Sequence, residues 1–392
     1  MVHNLRRAVP SMLGVCRQSI KACAQHADTT IIHSRSFTSS NVLSKAQSDA
    51  LRILFCGSDT FSCESLKALH TEHQRNKALV EQLEVMVLPG KRMGRGYKEI
   101  AQVPCKDLAQ ELGLKIHEKE TFRGWKLPQG INLVVAVSFG LFVPPRILSS
   151  ARYGGLNVHP SLLPHLRGPA PIHHAYLRGD QYTGVSLQTL DPTAFDHGTI
   201  LAQTPAPGVR IPKNQKFPDL KRDLAVRGAA MLVQGLRDGV HVPPHEAVAG
   251  WAPGGAAALV HAPKMTKADT EVDWKTWRAD DAVRRLSAFG AVWTCAVGAD
   301  GSKDAGLVKR VLLTEAKAVT DAAAEANSTQ EQLIWVTDKV KKHVRVKVDA
   351  GSGRCYFEFG DGTWLEVEKA KMEGEGEKKA AVALRTLLGT PP

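Results

Sequence analysis

INLVVAVSFG, Ile131 to Gly140, is an uncharged, Val-rich run of the kind found in strands covered on both faces. Pro144 and Pro145 follow it and open a helix, since a proline at the first helical position loses no hydrogen bond. The same pattern lies upstream. LRILFCGSDTF, Leu51 to Phe61, is an apolar run closed by Gly57 and continued by a helical pattern over Ser62 to His70. Between the two, Glu84 to Leu88 is a further strand-like run, and Cys105 to Leu112 reads as a helix with Leu108 and Leu112 on one face. Buried strands alternating with amphipathic helices predict an α/β fold with a doubly wound, mostly parallel sheet. The ligand of such a sheet is expected at the carboxyl ends of its strands.

Two nucleotide-binding devices are missing: Gly57 belongs to no G-x-G-x-x-G, and no G-x-x-x-x-G-K-[ST] occurs. Leu220, Leu224, Met231 and Leu232 predict a helix packed on the sheet, and the Pro, Gly and Ala-rich stretch from Pro243 to Pro263 reads as a linker. Beyond it, Val292–Val297, Val308–Leu313, Gln332–Val336, Val340–Val348, Cys355–Phe359 and Thr363–Val367 are short strand-like runs, which suggest a small barrel of OB type. Ala316 to Gln330, rich in Ala and acids, is expected to be an extended loop or insertion within it.

The chemistry is concentrated in GGLNVHPSLLPHLRGPAPIHHAYLRGDQYTGVSLQTLDPTAFDHGTIL, Gly154 to Leu201. Asn157 and His159 are two apart, so on an extended segment both side chains point to one side. A carboxamide and an imidazole converging on a pocket can donate to a carbonyl oxygen that becomes negative as its carbon turns tetrahedral. Asp196 could orient the imidazole and hold its charge. The trio suits acyl transfer without a covalent enzyme intermediate. Taken singly, such an Asn, His or Asp is more often a partner of local backbone than a catalyst.

The chain resembles the folate-dependent formyltransferase family, and within it the methionyl-tRNA formyltransferases of mitochondrial type. The resemblance rests on NVHPSLLP-x-x-RG-x-x-PI, here Asn157 to Ile172, on GD-x-x-TGV, here Gly179 to Val185, and on the acid at Asp196, and it continues into KMTKADTEVDW, Lys264 to Trp274. It implies a Rossmann-like catalytic domain over residues 49–242, a linker over 243–263 and a tRNA-binding domain over 264–392. It also implies that Asn157, His159 and Asp196 are catalytic, and that 10-formyltetrahydrofolate gives its formyl group to the amino group of methionine on initiator tRNA, with no metal. Folate contacts would fall on Ser161, Leu162, Leu163 and Pro164 and on the loop Phe139, Gly140, Leu141, Phe142 and Val143, where the family usually has Tyr-Gly in place of Phe139-Gly140. Before the acid, DPTAFDHG carries one residue more than the family's segment, so Asp191 competes with Asp196 for the role.

The resemblance makes Lys91 to Tyr97 a loop that meets the acceptor end of tRNA, with Lys91, Arg92 and Arg95 as its contacts; the plain alternative is a solvated surface loop. Along Lys339, Lys341, His343, Arg345 and Lys347 cations alternate with Val344, Val346 and Val348, which predicts a strand with one apolar and one basic face. Lys341, Arg345 and Lys347 would then face tRNA phosphates, against the alternative of a merely solvated face.

The net charge of +12 is unevenly placed: six Lys and Arg against Asp28 alone put +5 in residues 1–48. That composition, with SRSFTSS at Ser34 to Ser40, predicts a mitochondrial transit peptide and a matrix enzyme rather than a fold, or else a disordered basic tail. Seven cysteines with no C-x-x-C fit a reducing compartment. The chain is expected to be monomeric, with no membrane partner. A metal hydrolase built on His159, His165, His173, His174 and His197 lacks any recognised ligand spacing, and a serine hydrolase lacks G-x-S-x-G. Nearer rivals are formyltransferases acting on a purine precursor or a nucleotide sugar, and an inactive RNA-binding relative.

Overall fold

The structure is a computed structural model that describes residues 48–93, 96, 99–251, 259–321, 328–337 and 340–388. The basic leader, residues 1–47, lies outside the described residues. The first half runs β1 (Leu51–Gly57), α1 (Thr60–Arg75), β2 (Val80–Val87), β3 (Lys91–Met93), β4 (Glu99–Ala101), α2 (Pro104–Glu111), β5 (Lys115–Glu118), β6 (Leu133–Val137) and α3 (Pro145–Leu148). It continues with β7 (Gly155–His159), α4 (Pro171–Arg178), β8 (Tyr182–Thr183), β9 (Ser186–Thr189), β10 (Ile200–Gln203), β11 (Val209–Arg210) and α5 (Phe217–Arg237). Prolines in the first turn start α2, α3, α4 and α5, while the Asp59 carboxylate caps α1 by accepting from the amides of Phe61 and Ser62.

The central seven-stranded sheet has the order β10-β9-β7-β6-β1-β2-β5. Strands β5, β2, β1, β6 and β7 are parallel, and β9 and β10 extend the edge antiparallel. Every residue of β6 is buried, as its unbroken apolar run requires. On one face Phe55, Leu133, Val135, Val158 and Leu187 pack with α1 and α5; on the other Leu54, Val134 and Ala136 pack with Phe122, Phe139 and Ile147. The chain leaves β1 toward β2 on one side and returns as β6 on the other, so the carboxyl ends of β1, β6 and β7 open a crevice at the switch point.

The second half contains a 3-10 turn (Lys267–Thr270), α6 (Ala279–Phe289), β12 (Val292–Val297), β13 (Val308–Val319), β14 (Ser328–Thr337), β15 (Val340–Asp349), β16 (Arg354–Glu358), β17 (Trp364–Met372), β18 (Glu377–Lys379) and α7 (Ala380–Leu388). Its strands pair antiparallel in the order β13-β12-β14-β15-β16-β17-β18, and β13 pairs again with β17, so the sheet curls back on itself. The core is separate from that of the first sheet and includes Trp274, which stacks on Phe359 with ring centres 5.0 Å apart and donates to Thr294 Oγ1 at 3.1 Å. Both ends of the expected loop at Ala316–Gln330 are strand, and residues 322–327 lie outside the described residues. β13 continues to Val319 and β14 begins at Ser328, because Glu315 and Lys317 find partners across the sheet in Lys369 (2.9 Å) and Glu366 (3.2 Å).

The two halves meet where α6 crosses α4 and α5. The Phe217 amide donates to Ser287 Oγ at 2.8 Å, and the His173 ring lies 4.4 Å from Phe217 and 5.4 Å from Phe289. Burial there, with the nearby Lys221 charge, pushes His173 down to about 4, so the ring packs as a neutral aromatic. Among the described residues no helix is long and apolar enough to cross a membrane.

Candidate active site

The crevice is a cavity of about 520 Å³. Its walls come from Asp59 after β1, Ser138 to Val143 after β6, Asn157 to Pro160 at the end of β7, and the Thr189–Asp196 segment after β9. The whole proposed folate loop, Phe139, Gly140, Leu141, Phe142 and Val143, lies on it. Phe195 stands at the cavity, 57% exposed, with its ring edge-on to Phe142 at 5.2 Å.

Asn157 and His159 share one side of β7, as their spacing predicts, and Asp196 meets both. Asn157 Nδ2 donates to Asp196 Oδ1 at 3.2 Å, and His159 Nδ1 lies 3.3 Å from the same oxygen. Gln188, opposite Asn157 in the β7–β9 register, donates to Oδ1 at 3.3 Å, and the Gly168 amide donates to Oδ2 at 2.9 Å. Burial pushes the Asp196 carboxyl up, but the hydrogen bond and charge of His159, with the Gly168 and Gln188 donors, outweigh it and hold the group below the usual carboxylate range. The other imidazole nitrogen, Nε2, lies 2.9 Å from the Leu166 carbonyl. His159 is thus gripped at both nitrogens, whereas the Asn157 amide keeps a second hydrogen for the cavity.

The extra residue in DPTAFDHG is absorbed by the turn between β9 and β10. Asp191 stays at the start of that turn, where its Oδ1 accepts from the Thr193 amide and hydroxyl and the Ala194 amide. Asp196 sits at φ +59, a left-handed conformation that Asp tolerates better than most residues. Gly198 lets the chain return: a Cβ there would fall 1.7 Å from the Thr189 carbonyl oxygen. Local geometry therefore brings Asp196, not Asp191, to His159.

Ser161, Leu162, Leu163 and Pro164 do not line the cavity. Ser161 is fully buried and its hydroxyl donates to the His165 carbonyl at 2.6 Å, while the Leu163 amide donates to Ser186 Oγ. Leu162 and Leu163 are buried as well. Pro164 is half-buried at the end of this segment. The other histidines of the run are dispersed: His165 accepts a bond from Arg178, His174 meets the Pro263 carbonyl, and His197 meets the Phe195 carbonyl.

Comparison with known proteins accords with this arrangement. Residues 51–235 match the formyl transferase family model. Over 317 residues the chain is 32% identical to the mitochondrial methionyl-tRNA formyltransferase of Saccharomyces cerevisiae, covering 71% of this chain and 78% of the yeast protein. The chain belongs to the methionyl-tRNA formyltransferase family. A bacterial member, from Paracoccus denitrificans, is 32% identical over 64% of this chain and 80% of its own length. The mouse mitochondrial member is 33% identical, and the chain spans only 58% of its length. Among solved structures, HypX from Aquifex aeolicus in complex with tetrahydrofolic acid shares the fold at a TM-score of 0.50 and 15% identity, over 87% of this chain and 48% of that one.

Apart from Arg95, the residues that the sequence reading expected to meet tRNA lie on two strands. Lys91 and Arg92 are exposed on β3 of the β3–β4 hairpin, and Arg95 lies outside the described residues. On β15, Val344 and Val346 are buried and Arg345 is exposed, as the alternation predicts. The cations are nevertheless engaged: Arg345 pairs with Glu358, and Lys347 Nζ sits 4.5 Å from the centre of the Trp364 ring. Lys341 is on the same strand, its side chain outside the described residues, as is Lys339 altogether. Sequence reading assigned no role to Gly168, Gln188 or Arg167, whose Nε donates to the Asp196 carbonyl at 2.8 Å. Gly168 and Arg167 were visible within the RG of the motif, but Gln188 becomes meaningful only through its register with Asn157.

Proposed function

We propose that this chain transfers the formyl group of 10-formyltetrahydrofolate to the amino group of methionyl initiator tRNA in the mitochondrial matrix. The observation that carries the reading is the joining of Asn157, His159 and Asp196 on the floor of a cavity at the carboxyl edge of the sheet, in a member of this family. The amine attacks the formyl carbon, and the free Asn157 N–H donates to the oxygen as it gains charge. His159 gives a second donor when that oxygen competes with the Leu166 carbonyl for Nε2–H. Asp196, with its hydrogen-bonded carboxylate, fixes the ring and balances its charge.

Folate binding is assigned to Phe139, Gly140, Leu141, Phe142 and Val143, with Phe195 closing the slot; a largely apolar cleft with a few placed polar groups suits a flat co-substrate of this size. Residues 49–242 are the catalytic domain, and residues 264–392, read as a barrel of OB type, help to hold tRNA. The β3–β4 hairpin with Lys91, Arg92 and Arg95 is assigned to the acceptor end, and Lys341, Arg345 and Lys347 of β15 to phosphates further along the tRNA. Both domains act within one monomer.

The test offers purified protein radiolabelled 10-formyltetrahydrofolate with three acceptors in parallel: methionyl initiator tRNA, an amino sugar nucleotide and a purine-precursor amine. Label should move to the tRNA-linked methionine alone. Transfer to either small amine in preference to it would replace this reading with the corresponding rival.

A further inference from the structure

The stretch that joins the two halves is not a free tether where it is described. The Val248 amide donates to the Ile200 carbonyl at 2.9 Å, and Trp251 donates to Gln203 Oε1 and, through its indole, to the Thr204 carbonyl. After the segment 252–258, which lies outside the described residues, Val260 to Ala262 runs beside Leu166 to Ala170. The Leu166 amide donates to the Val260 carbonyl at 2.8 Å, the Ala262 amide to the Arg167 carbonyl at 2.7 Å and the Ala170 amide to the Ala262 carbonyl at 3.2 Å. Packing is close enough that a Cβ on Gly168 would fall 2.5 Å from the Ala262 carbonyl oxygen and 2.9 Å from the His261 ring. His261 is therefore clamped by its neighbours on both sides, and its exposed ring lines the cavity.

The ionisable groups on the cavity wall are Asp59, His159, Asp191, Asp196 and His261. Asp59 caps α1 and pairs with Lys221 at 2.7 Å. Asp191 is tied into its own turn, and Thr193 and Ala194 hold its carboxyl below the usual range. Asp196 accepts from Asn157, His159, Gly168 and Gln188, and His159 has both nitrogens turned to oxygen. Asp59, His159 and Asp196 have their acceptor atoms engaged, and Asp191, whose Oδ2 accepts no bond among the described residues, is a weak base because its carboxyl is held low, so none of them offers an unengaged acceptor suited to taking a proton from an amine. His261 has one, for among the described residues no hydrogen bond or ion pair holds its ring. Imidazole is also the side chain most often used for that task.

We infer that His261, contributed by the segment between the two halves, is the catalytic base that accepts the proton of the attacking amine. The inference rests on the transfer reaction proposed above. The C–N bond forms between the amine nitrogen and the formyl carbon as the amine proton passes to His261. The bond from the formyl carbon to the folate nitrogen then breaks, its electron pair stays on that nitrogen, and the nitrogen takes up a proton. His261 returns its own proton to solvent. The charged and titratable groups around it are His165, Arg167 and His174 beside its segment, and His159, Asp191 and Asp196 in the same cavity.

The test uses full-length protein with 10-formyltetrahydrofolate and methionyl-tRNA. His261→Gln should lower kcat on the order of a hundredfold, within the range of general base catalysis, with folate affinity kept and the low-pH limb of the rate profile altered. His261→Ala should be equally slow and partly recovered by added imidazole. A His261→Gln rate close to wild type with the same pH profile overturns the inference, as does a slow His261→Ala enzyme that imidazole does not recover. Wild-type protein that formylates no methionyl-tRNA would instead remove the reaction on which the inference stands.

Discussion

Strands β7 and β15 carry the same alternation of polar and apolar side chains, and the structure uses it in opposite ways. On β7, Asn157 and His159 face a cavity, and four donors converge on the Asp196 carboxylate behind them. On β15, Arg345 and Lys347 face outward, where Glu358 and the Trp364 ring take up their charge. Alternation fixes which way a side chain points. Whether the group remains available to a substrate depends on what the neighbouring strands place against it.

The largest effect is expected at β7. His159→Ala removes a donor from the site and leaves the Leu166 carbonyl and Asp196 without their partner, so turnover with methionyl-tRNA should fall on the order of a hundredfold or more. Steady-state formylation kinetics measure this, and a rate near wild type would place β7 on a par with β15. Next is Gly168→Ala. At φ +119 and against the Ala262 carbonyl, the added methyl should destabilise the protein by about 1–3 kcal/mol and displace the amide that holds Asp196. Thermal unfolding together with kcat reports both consequences, and unchanged values for both would mean that the linker segment is not pinned to the site.

A smaller effect follows from the depressed Asp196 carboxyl. Because its folded value lies below its unfolded one, its contribution to stability is present above about pH 4 and is lost as pH falls through the folded value. The stability difference between wild type and Asp196→Asn should therefore shrink on acidification from pH 6 to pH 3, as followed by unfolding at each pH. A difference that grows instead would reverse the assigned electrostatics. The smallest effect is expected on β15: replacing Lys341, Arg345 and Lys347 together by Ala should flatten the salt dependence of tRNA binding by less than the roughly three units that three phosphate contacts would give. The full three units would show that tRNA displaces Glu358 and Trp364.

Much of this was legible in the sequence for a physical reason. The uncharged, Val-rich run at Ile131–Gly140 favours a strand covered on both sides, and the two-residue spacing of Asn157 and His159 on a strand sets their direction without tertiary information. What escaped depended on contacts distant in sequence. Lys317 looked like a loop residue because its partner, Glu366, lies some fifty residues away. Pro243–Pro263 read as a tether because composition reports the lack of helix and strand, not the backbone bonds that dock Val260 and Ala262 on the catalytic turn. Within the motif, the Ser161 hydroxyl and the Leu163 amide are bonded to His165 and Ser186, partners that the sequence alone does not reveal.

The most direct test of the catalytic assignment is single-turnover formylation of methionyl-tRNA by wild type and Asn157→Ala, each saturated with 10-formyltetrahydrofolate, with tetrahydrofolate affinity measured on the same samples. Wild type should yield formylmethionyl-tRNA at least about a hundredfold faster than the variant, with folate affinity alike in the two. Equal rates, or no formylmethionine from the wild type, would contradict it.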